Sequence, residues 1–362
     1  MMSAQGMKAV LLCAGEGTRL RPLTFTRPKH LMPVAGRPVL DHVLSSLAAA
    51  GISETVFVVG THAPVLREFI GDGSRWGMPA SFAIQPEPRG LADAVRSARE
   101  HVEGQRFIVY LGDDLLGDGV SEFVSDFAGS DVHASLIVKS VGDPRQFGVV
   151  VVEEGQVVRL VEKPQDPPSD LAIVGIYGFG PEIFEAIERT KPSARGELEI
   201  TDAMEALLEG GGRVECHITE GFWADAGSPQ LLLAANEFFV ERGGRTIEGR
   251  VTGCAVEGAV QVCEGARVSS SRLIGPCLIG PGALVSDSVL GPNVSVGAGC
   301  EISGARIDRS ILDEGCVIMG LTRGITQSLL GREVRISLPG TGGGPLALML
   351  ADNTQMCELG EE

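Results

Sequence analysis

A short segment near the start of the chain combines glycine with positive charge. Residues 14–34 read AGEGTRLRPLTFTRPKHLMPV and directly follow an apolar run that is typical of a buried strand. Gly15 and Gly17 allow backbone N–H groups to come close to an anion, and Arg19 and Lys29 carry charges that can neutralise phosphate. These residue types predict a site for a phosphorylated ligand at the end of the first strand.

Neither of the two common phosphate-binding loops is present. The fingerprint G-x-G-x-x-G would need glycine at position 20, where the chain has Leu20, and G-x-x-x-x-G-K-[ST] matches nowhere in the sequence. For Arg21 and Arg27, a solvated rim of the segment is a sufficient explanation. Taken alone, the segment is also compatible with a glycine turn whose basic residues are incidental, so the phosphate hypothesis needs support from the rest of the chain.

The overall charge restricts the kind of partner. The 362 residues carry a formal net charge of −17, and 44% of them are hydrophobic. We expect no general attraction to nucleic acid or to an anionic membrane, so a bound anion must be held by a local cluster. We expect no secretion signal, because a short polar start leads directly into a strand-like segment, and no membrane span, because no apolar stretch is long enough to cross a bilayer. This composition predicts a cytoplasmic globular protein of two domains.

Strand-like and helix-like segments alternate through roughly the first two thirds of the chain. The helix-like segments carry apolar residues at steps of three and four, whereas the strand-like segments are short apolar runs. The alternation predicts parallel strands joined by crossover helices, with a ligand site at the carboxyl ends of the strands. The glycine-rich segment lies at such an end. The predicted strands are 55–60, 106–114, 134–140 and 158–164, and the predicted helices are 40–51, 89–102 and 181–190.

The last third of the chain follows a six-residue repeat. Aliphatic residues recur every five or six positions from Val251 to Ile318, separated by glycine, proline, asparagine or serine. This spacing predicts a parallel β-helix of about four coils, at about eighteen residues a coil, with three short strands in each coil. The predicted domains are 1–245 and 246–340. Residues 341–362 are predicted to form a tail that begins as a flexible glycine run and ends in a short docking strand.

Several motifs, in order along the chain, resemble those of a known enzyme family. LCAGEGTRLRPLTFTRPKHLMPVAGRPVLDHVL resembles the N-terminal signature of the sugar-1-phosphate nucleotidylyltransferases. Within that family, EPRGLADAV, YLGDDLLGDGV, VEKPQDPPSDLAIVGIYGF, ARGELEITDAM and GFWADAGSPQLLLAAN resemble the glucose-1-phosphate thymidylyltransferases that carry a C-terminal hexapeptide domain. The resemblance implies a Rossmann-like α/β nucleotidyltransferase domain with a mixed central sheet, followed by a left-handed parallel β-helix.

The resemblance also implies a reaction, in which dTTP and glucose 1-phosphate give dTDP-glucose and pyrophosphate. In-line attack of the sugar phosphate on the α-phosphorus needs positioning and charge neutralisation, and no protein nucleophile. In the family pattern, Arg19 and Lys29 are the cations for the triphosphate. Asp113 and Asp225 are the implied ligands of Mg²⁺, which bridges the substrates. Asp114 is the alternative to Asp113, because the double aspartate leaves room for a shift by one.

The other implied contacts divide between the nucleotide and the sugar phosphate. Gln85 is implied to read the edge of a thymine or uracil ring, for which an amide offers a donor and an acceptor. Glu162 is implied to accept sugar hydroxyls and Lys163 to meet the sugar phosphate, the alternative being a surface ion pair at a strand end. The same pattern assigns Ala14, Gly15, Gly17 and Gly90 to the nucleotide, and Gly148, Val174 and Arg195 to the sugar phosphate.

Two alternatives to thymidylyl transfer stay open. Cys13-Ala14-Gly15 stands where thymidylyltransferases usually have A-G-G, and is closer to the form found in uridylyl-transferring relatives. The nearer alternative is therefore the same chemistry with UTP or with another hexose 1-phosphate. The other is a catalytically silent subunit that binds sugar nucleotides, although all five of the expected cations and metal carboxylates are present.

The β-helix is expected to serve assembly and not a second reaction. Hexapeptide domains of some relatives carry acetyltransferase activity with a histidine base, whose pKa suits that task. The last of the six histidines is His217, so none lies in the repeat. We expect the coils to support a homo-oligomer, a dimer or tetramer, and expect their deletion to affect assembly and stability more than chemistry.

Overall fold

The computed structural model divides into two units that do not follow the order of the sequence. One unit joins the chain before Gly17 to Leu40–Trp223, and the other joins Gly17–Val39 to the chain from Ala224 onward. The structure describes residues 6–321, 323–338 and 344–357. Most of the cation-rich segment therefore belongs to the same unit as the hexapeptide repeat.

The described part of the first unit contains a mixed sheet of nine strands. In its parallel half, Lys8–Cys13 lies between Glu54–Val59 and Phe107–Leu111, and Ala80–Ile84 pairs with Glu54–Val59. Leu171–Phe179 runs antiparallel to Phe107–Leu111 and joins this half to the rest of the sheet. The remaining strands are Ala134–Ser140, Gly148–Glu153, Gln156–Glu162 and Val214–Ile218. The mixed sheet implied by the family resemblance is confirmed.

The alternation of strands and helices predicted parallel strands, but part of the sheet is antiparallel. Gly148–Glu153 and Gln156–Glu162 form a hairpin in which Gln156 pairs with Glu153. The two residues between the strands, Glu154 and Gly155, have φ of 51° and 82°. Two consecutive positive φ values are typical of the tight turn that matches the twist of a hairpin. A two-residue turn leaves no room for a crossover helix, so these strands run antiparallel.

The helices of the first unit cover the sheet with their apolar faces. Leu66 and Ile70, for example, are the buried residues of the helix Ala63–Ile70. The single helix predicted at 89–102 is wrong in one respect, because a turn at Ala98 divides it in two. None of the helices in the described residues has the length and apolar character needed to cross a membrane. The helices are Val39–Ala49, Ala63–Ile70, Leu91–Ser97, Arg99–Val102, Ser121–Gly129, Ile183–Arg189 and Ile200–Glu209, with a 3₁₀ turn at Ser74–Trp76.

The first strand is almost entirely buried, and the glycine-rich segment begins where the strand ends. Ala9 to Cys13 are all buried, which is typical of a parallel strand covered on both faces. Ala14 is the first residue of the chain after this strand and is only half-buried. The carboxyl end of the strand therefore leads directly into the glycine-rich segment.

The second unit contains the left-handed parallel β-helix. Val260 pairs with Cys277 and Cys277 with Val294, a step of 17 residues from coil to coil. Its strands are Thr246–Ile247, Arg250–Thr252, Ala255–Glu257, Val260–Val262, Arg267–Ser269, Arg272–Ile274, Cys277–Ile279, Leu284–Ser286, Val289–Leu290, Val294–Val296, Glu301–Ser303, Arg306–Asp308, Ser310–Leu312, Val317–Met319, Ile325–Thr326, Leu329–Leu330, Arg335–Ser337, Met349–Leu350 and Gln355–Cys357. The interior is a stack of aliphatic side chains such as Val268, Val285 and Ile302, each almost completely buried.

The β-helix is longer than the repeat alone predicted. Within the described residues it has five complete coils of three strands, and not about four. Met349–Leu350 pairs with Leu329–Leu330, and Gln355–Cys357 pairs with Arg335–Ser337. The end of the chain therefore adds strands to two of the three sheets. Of the glycine run predicted to be flexible, Gly342 and Gly343 lie outside the described residues.

The helix Pro229–Arg242 packs on one sheet of the β-helix. Ser228 caps it by accepting a hydrogen bond from the backbone N–H of Leu231 at 3.4 Å, and proline follows at the first helical position. Gln261 donates from its side chain to the Val240 carbonyl at 2.9 Å. The unit also contains short strands at Pro33–Val34 and Arg37–Pro38 and 3₁₀ turns at Thr18–Leu20, Leu23–Phe25 and Lys29–Leu31. The remaining elements of the described chain are the short strands Asp114–Leu116 and Trp223–Asp225.

Candidate active site

The cation-rich segment folds so that its second glycine lies against its lysine. Gly17 has φ of +65°, and a Cβ there would lie 3.0 Å from Lys29 Cβ and 3.0 Å from Thr24 Cγ2. The Thr24 hydroxyl donates to the Gly17 carbonyl at 2.8 Å and closes the turn. Glycine is required at this position because both the backbone angle and the close approach exclude a side chain. Two residues predicted for the triphosphate, Gly17 and Lys29, are thus neighbours.

A second pair of predicted residues meets in the same unit. Arg19 donates from its guanidinium to Asp225 Oδ2 at 3.1 Å. A Cβ at Gly227 would lie 2.6 Å from both Arg19 and Asp225 Oδ1, so the glycine makes room for the pair. The Arg19 side chain is 64% exposed. An ion pair this exposed contributes little stability, and its arginine can therefore exchange the carboxylate for a phosphate at small cost.

The two adjacent aspartates after strand Phe107–Leu111 have different surroundings. Trp223 donates from its indole N–H to Asp114 Oδ1 at 3.0 Å. Gly175, with φ of +80°, packs so closely on Asp114 that a Cβ there would overlap its Oδ2. Asp114 is therefore held by Trp223 and by the close packing of Gly175, and Asp113 lies in the turn just before it. Asp113 is also largely buried.

Burial and neighbouring carboxylates raise the pKa of two tyrosines in the first unit. Burial, with a contribution from Asp114, raises the pKa of Tyr110 above its ordinary value. Burial, then Glu162 and Asp114, raises the pKa of Tyr177 in the same way. Both phenols therefore stay neutral, and the negative charge in this region belongs to the carboxylates.

Gln85 is oriented by acceptors on one side of its amide. Its Nε2 donates to the Gly90 carbonyl at 3.2 Å and to Asp93 Oδ2 at 3.0 Å. Because a carbonyl and a carboxylate can only accept, the amide nitrogen must face them, and both of its hydrogens are used. The amide oxygen is consequently the group that can meet a ligand. The sequence indicated a donor and an acceptor, whereas this geometry provides an acceptor.

The turn before the helix Leu91–Ser97 is attached to a residue that the sequence did not indicate. Gly90 has φ of +106°, and a Cβ there would overlap the Leu198 carbonyl. Leu198 N–H donates to the Arg89 carbonyl at 2.7 Å, and Ala92 N–H donates to the Leu198 carbonyl at 3.0 Å. Leu198 therefore anchors the turn that carries Gly90 through its backbone, an interaction that leaves no signature in side-chain chemistry.

The residues predicted for the sugar phosphate cluster around Glu162. Arg195 donates to Glu162 Oε1 at 3.0 Å, and Lys163 Nζ lies 3.6 Å from the same oxygen. Glu162 Oε2 accepts from the hydroxyl of Thr201 at 3.2 Å, a partner that the sequence did not indicate. A Cβ at Gly148 would lie 3.2 Å from that oxygen. The structure thus brings Gly148, Glu162, Lys163 and Arg195 together.

Lys163 has a strained backbone at the exit of the strand Gln156–Glu162. Its φ is +40°, in the left-handed region that costs energy for a residue other than glycine. Its backbone N–H donates to the Phe147 carbonyl at 3.0 Å, and the Phe147 ring packs on Trp223 with centroids 5.0 Å apart. Strain of this kind persists only where the surroundings hold it, and it is concentrated at functional sites.

Two of the predicted sugar-phosphate contacts have restricted roles. Arg195 is engaged by carboxylates, with Glu199 accepting from it at 2.8 Å in addition to Glu162. Burial, and then the charges of Glu199 and Glu162, raise the pKa of Asp202 nearby, so this region is rich in negative charge. Val174 is fully buried.

Asp113 and Asp225 carry the type of ligand atom that a divalent metal needs. In the part of the chain that the structure describes, no three histidine, cysteine or acidic side chains converge to form a metal-binding group. Asp113 and Asp225 each offer the hard oxygen ligands that Mg²⁺ prefers.

Family models match both parts of the chain. A nucleotidyl transferase model matches residues 8–242, and a GlmU-like C-terminal hexapeptide model matches residues 237–320. Among solved structures, the UTP-bound UGPase from Acinetobacter baumannii is similar with a TM-score of 0.57 and 28% identity, and the match covers 65% of this chain and 94% of that one.

Curated relatives extend the similarity over almost the whole chain. It is 42% identical over 334 residues to the glucose-1-phosphate thymidylyltransferase of Streptomyces antibioticus, covering 91% of this chain and 94% of that protein. It is 41% identical over 337 residues to the protein of the same name from Streptomyces griseus, with the same two coverages. Nucleotidyltransferases of this type generally use a divalent metal. With both domains matched and the carboxylates and cations of the motifs in place, the chain belongs to the nucleotidyl transferase family.

Proposed function

We propose that the chain transfers a nucleotidyl group from dTTP to glucose 1-phosphate, giving dTDP-glucose and pyrophosphate. The observation that carries this proposal is the cluster of Lys163 and Arg195 around Glu162, because it combines acceptors for sugar hydroxyls with cations for a phosphate. The two Streptomyces relatives bear the name of this activity and are similar over both domains.

The proposed reaction is a single in-line displacement. An oxygen of the sugar phosphate forms a bond to the α-phosphorus of the triphosphate, the bond from that phosphorus to the bridging oxygen breaks, and pyrophosphate leaves with the electron pair. Lys29 and Arg19 neutralise the triphosphate, and Lys163 orients the attacking phosphate. Arg19 exchanges Asp225 for phosphate, which frees the carboxylate. Asp113 and Asp225 would be the protein ligands of Mg²⁺, which would supply charge neutralisation at the α-phosphate.

The orientation of Gln85 supports selection of the base. Its amide oxygen can accept from the N3–H group of thymine or uracil, whereas cytosine and adenine carry a lone pair at the corresponding ring nitrogen. Two acceptors facing each other leave both unpaired, which costs binding energy. Gln85 does not separate thymine from uracil, so transfer from UTP is the alternative nucleotide reaction.

A panel of substrates tests the proposal. Every nucleoside triphosphate is offered with several hexose 1-phosphates in the presence of Mg²⁺, and pyrophosphate release is measured. We expect dTTP with glucose 1-phosphate to give the highest kcat/KM. Faster release from UTP, or with another sugar, would establish the alternative substrate. A lack of release from every combination would indicate a silent sugar-nucleotide-binding subunit.

Replacing Gln85 by alanine is expected to weaken the choice of base. We predict that Gln85→Ala lowers kcat/KM for dTTP and UTP by about 10- to 100-fold, the cost of an unmade buried hydrogen bond, and leaves kcat/KM for dCTP nearly unchanged. The measurement compares dTTP, UTP, dCTP and dATP. Gln156→Ala, in the exposed hairpin, is the matched control. An unchanged ranking of the four nucleotides in Gln85→Ala would reject the base-reading role.

Replacing Lys163 is expected to affect the other substrate. We predict that Lys163→Ala raises KM for glucose 1-phosphate by about 10- to 100-fold, because a charge-assisted contact to phosphate is lost, and leaves KM for dTTP within about twofold. Steady-state kinetics with each substrate varied in turn measure this difference. Lys191→Ala, at an exposed position, serves as the control. Equal effects on both substrates would contradict a specific sugar-phosphate role.

We also propose a homo-oligomer, a dimer or a tetramer, because closed symmetric assemblies are the commonest form of soluble enzymes. Nucleoside triphosphates and sugar phosphates are metabolites of the cytoplasm, and we propose that location for the enzyme.

A further inference from the structure

The segment that carries Arg19 and Lys29 is attached to the β-helix by a buried ion pair. The Arg27 guanidinium contacts Asp313 Oδ2, and the two side chains are only 5% and 6% exposed. Asp313 follows directly after the strand Ser310–Leu312 in the fifth coil. The solvated rim suggested for Arg27 is therefore wrong, because its partner comes from a distant coil that no local pattern could indicate.

A second carboxylate completes this cluster from the end of the chain. Thr26 donates from its hydroxyl to Asp352 Oδ2 at 2.8 Å, and the Arg27 guanidinium lies 3.7 Å from Asp352 Oδ1. Asp352 Oδ1 also accepts from the backbone N–H of Arg332 at 2.8 Å, which ties it to the coil below. The Asp352 side chain is 12% exposed. The predicted tail thus provides a direct contact to the cation-rich segment.

The other end of the segment is attached at a separate point. Asn236 is buried in the helix Pro229–Arg242, and its Oδ1 accepts from Ala35 N–H at 2.9 Å and from the Ser295 hydroxyl at 2.6 Å. Gly36 packs so closely on the β-helix that a Cβ there would lie 2.8 Å from Leu278 Cδ2. Lys29 lies between the two attachment points.

A short, hydrogen-bonded backbone segment connects Arg27 to Lys29. Leu31 N–H donates to the Pro28 carbonyl at 3.0 Å, and Met32 N–H donates to the Lys29 carbonyl at 3.0 Å. The residues following Arg27 therefore form a closed 3₁₀ turn. Gly17 packs on Lys29, as described above, so a shift at Arg27 moves both Lys29 and the Gly17 turn.

We propose that Arg27, held by Asp313 and Asp352, is a positioning residue for Lys29, so that the last coils of the β-helix set the affinity for the triphosphate. This inference rests on the proposed role of Lys29. A buried, doubly held guanidinium has one favourable geometry, and small displacements of a charge that contacts substrate are costly to catalysis. The coils consequently contribute to the chemistry, beyond the assembly role expected from sequence.

Asp352→Ala tests the proposal better than a change at Arg27. Arg27→Ala leaves the Asp313 carboxylate buried without its partner and endangers the fold, whereas Asp352 lies at the end of the β-helix. We expect Asp352→Ala to lower kcat/KM for dTTP by about 10- to 100-fold, the cost of a misplaced substrate contact. KM for glucose 1-phosphate and the melting temperature should stay close to the wild-type values. Asp352→Asn should recover part of the loss, because its amide oxygen can still accept from Arg332.

A matched control and a double-mutant cycle separate positioning from general damage. Asp308 accepts from the Thr326 hydroxyl at 2.5 Å within the coils, a bond of the same kind, so Asp308→Ala should leave kcat/KM for dTTP unchanged. Lys29→Ala alone should lower kcat/KM for dTTP strongly. If Asp352 acts through Lys29, adding Asp352→Ala to Lys29→Ala causes little further loss.

The outcomes distinguish this proposal from the proposed function. A strong effect of Lys29→Ala with wild-type kinetics in Asp352→Ala would overturn the positioning role and leave the site intact. Multiplicative losses in the double variant would also overturn it, as would an equal loss toward both substrates accompanied by a lower melting temperature. Wild-type kinetics in Lys29→Ala would reject the proposed role of Lys29 itself, and with it the positioning role.

Discussion

Asp113→Asn and Asp225→Asn are each expected to lower kcat by several hundredfold while leaving the fold intact. Asparagine keeps the size of the side chain but removes the negative charge, and losing several kcal/mol of electrostatic stabilisation in the transition state corresponds to a rate loss of about this size. Asp225 also loses its contact with Arg19, but that pair is exposed and contributes little to stability. Pyrophosphate release at saturating Mg²⁺ and thermal unfolding of each variant measure the two effects separately.

Asp114→Asn is the matched control for these variants. Asp114 accepts from Trp223 and packs on Gly175, so its replacement should lower the melting temperature and change kcat far less than Asp113→Asn does. The reverse pattern, in which Asp114→Asn abolishes turnover and Asp113→Asn does not, would move the metal ligand by one residue. Chelation should abolish activity with little change in melting temperature, because two carboxylates and substrate oxygens do not form a structural cage.

Arg27→Ala is expected to lower the free energy of unfolding by about 3–5 kcal/mol, the largest stability effect that we predict for a single side chain. Removing one partner of a buried ion pair leaves the other charge without compensation in a medium of low dielectric constant. The partner in this case is Asp313, whose side chain is only 6% exposed. Chemical denaturation, followed by fluorescence and circular dichroism, gives the change in midpoint and in slope.

Two further variants show whether burial is the cause of that loss. Arg272 pairs with Glu257 on the surface of the same β-helix, where both side chains are 54% exposed, so Arg272→Ala should cost less than about 1 kcal/mol. Arg27→Met combined with Asp313→Leu should recover most of the stability lost in Arg27→Ala, since apolar replacements of a buried pair are often nearly neutral. A loss in Arg27→Ala no larger than that in Arg272→Ala would contradict the buried pair.

The elements that could be predicted from sequence are those whose cause is local. The spacing of the aliphatic residues follows a six-residue period, because each strand of a coil places one such residue in the interior. This period predicted the β-helix. The run from Lys8 to Cys13 is apolar throughout, as a strand covered on both faces must be. Gly17 could be chosen for the same reason, since close backbone approach and a positive φ both demand glycine.

Tertiary structure decided what each polar side chain does, because that depends on residues far away in the chain. Arg21 and Arg27 differ little in local sequence, yet Arg21 is exposed over the Phe25 ring, whereas Arg27 is buried against Asp313. A buried charge needs a partner to stabilise it. A repeat pattern specifies where a coil turns, but it does not specify which residues from elsewhere in the chain contact that coil.

The sequence also could not determine which atoms of a polar side chain are engaged by neighbouring residues. The sequence identified Gln85 as a candidate base reader, but only the tertiary structure shows that its amide nitrogen donates to Gly90 and Asp93, which leaves the oxygen on the other side of the amide. The pair of aspartates after the strand Phe107–Leu111 was visible as a motif, but only the tertiary structure shows that Trp223 donates to Asp114. Motifs specify which chemical groups are present, and the packing of distant residues specifies which atoms of those groups remain to act.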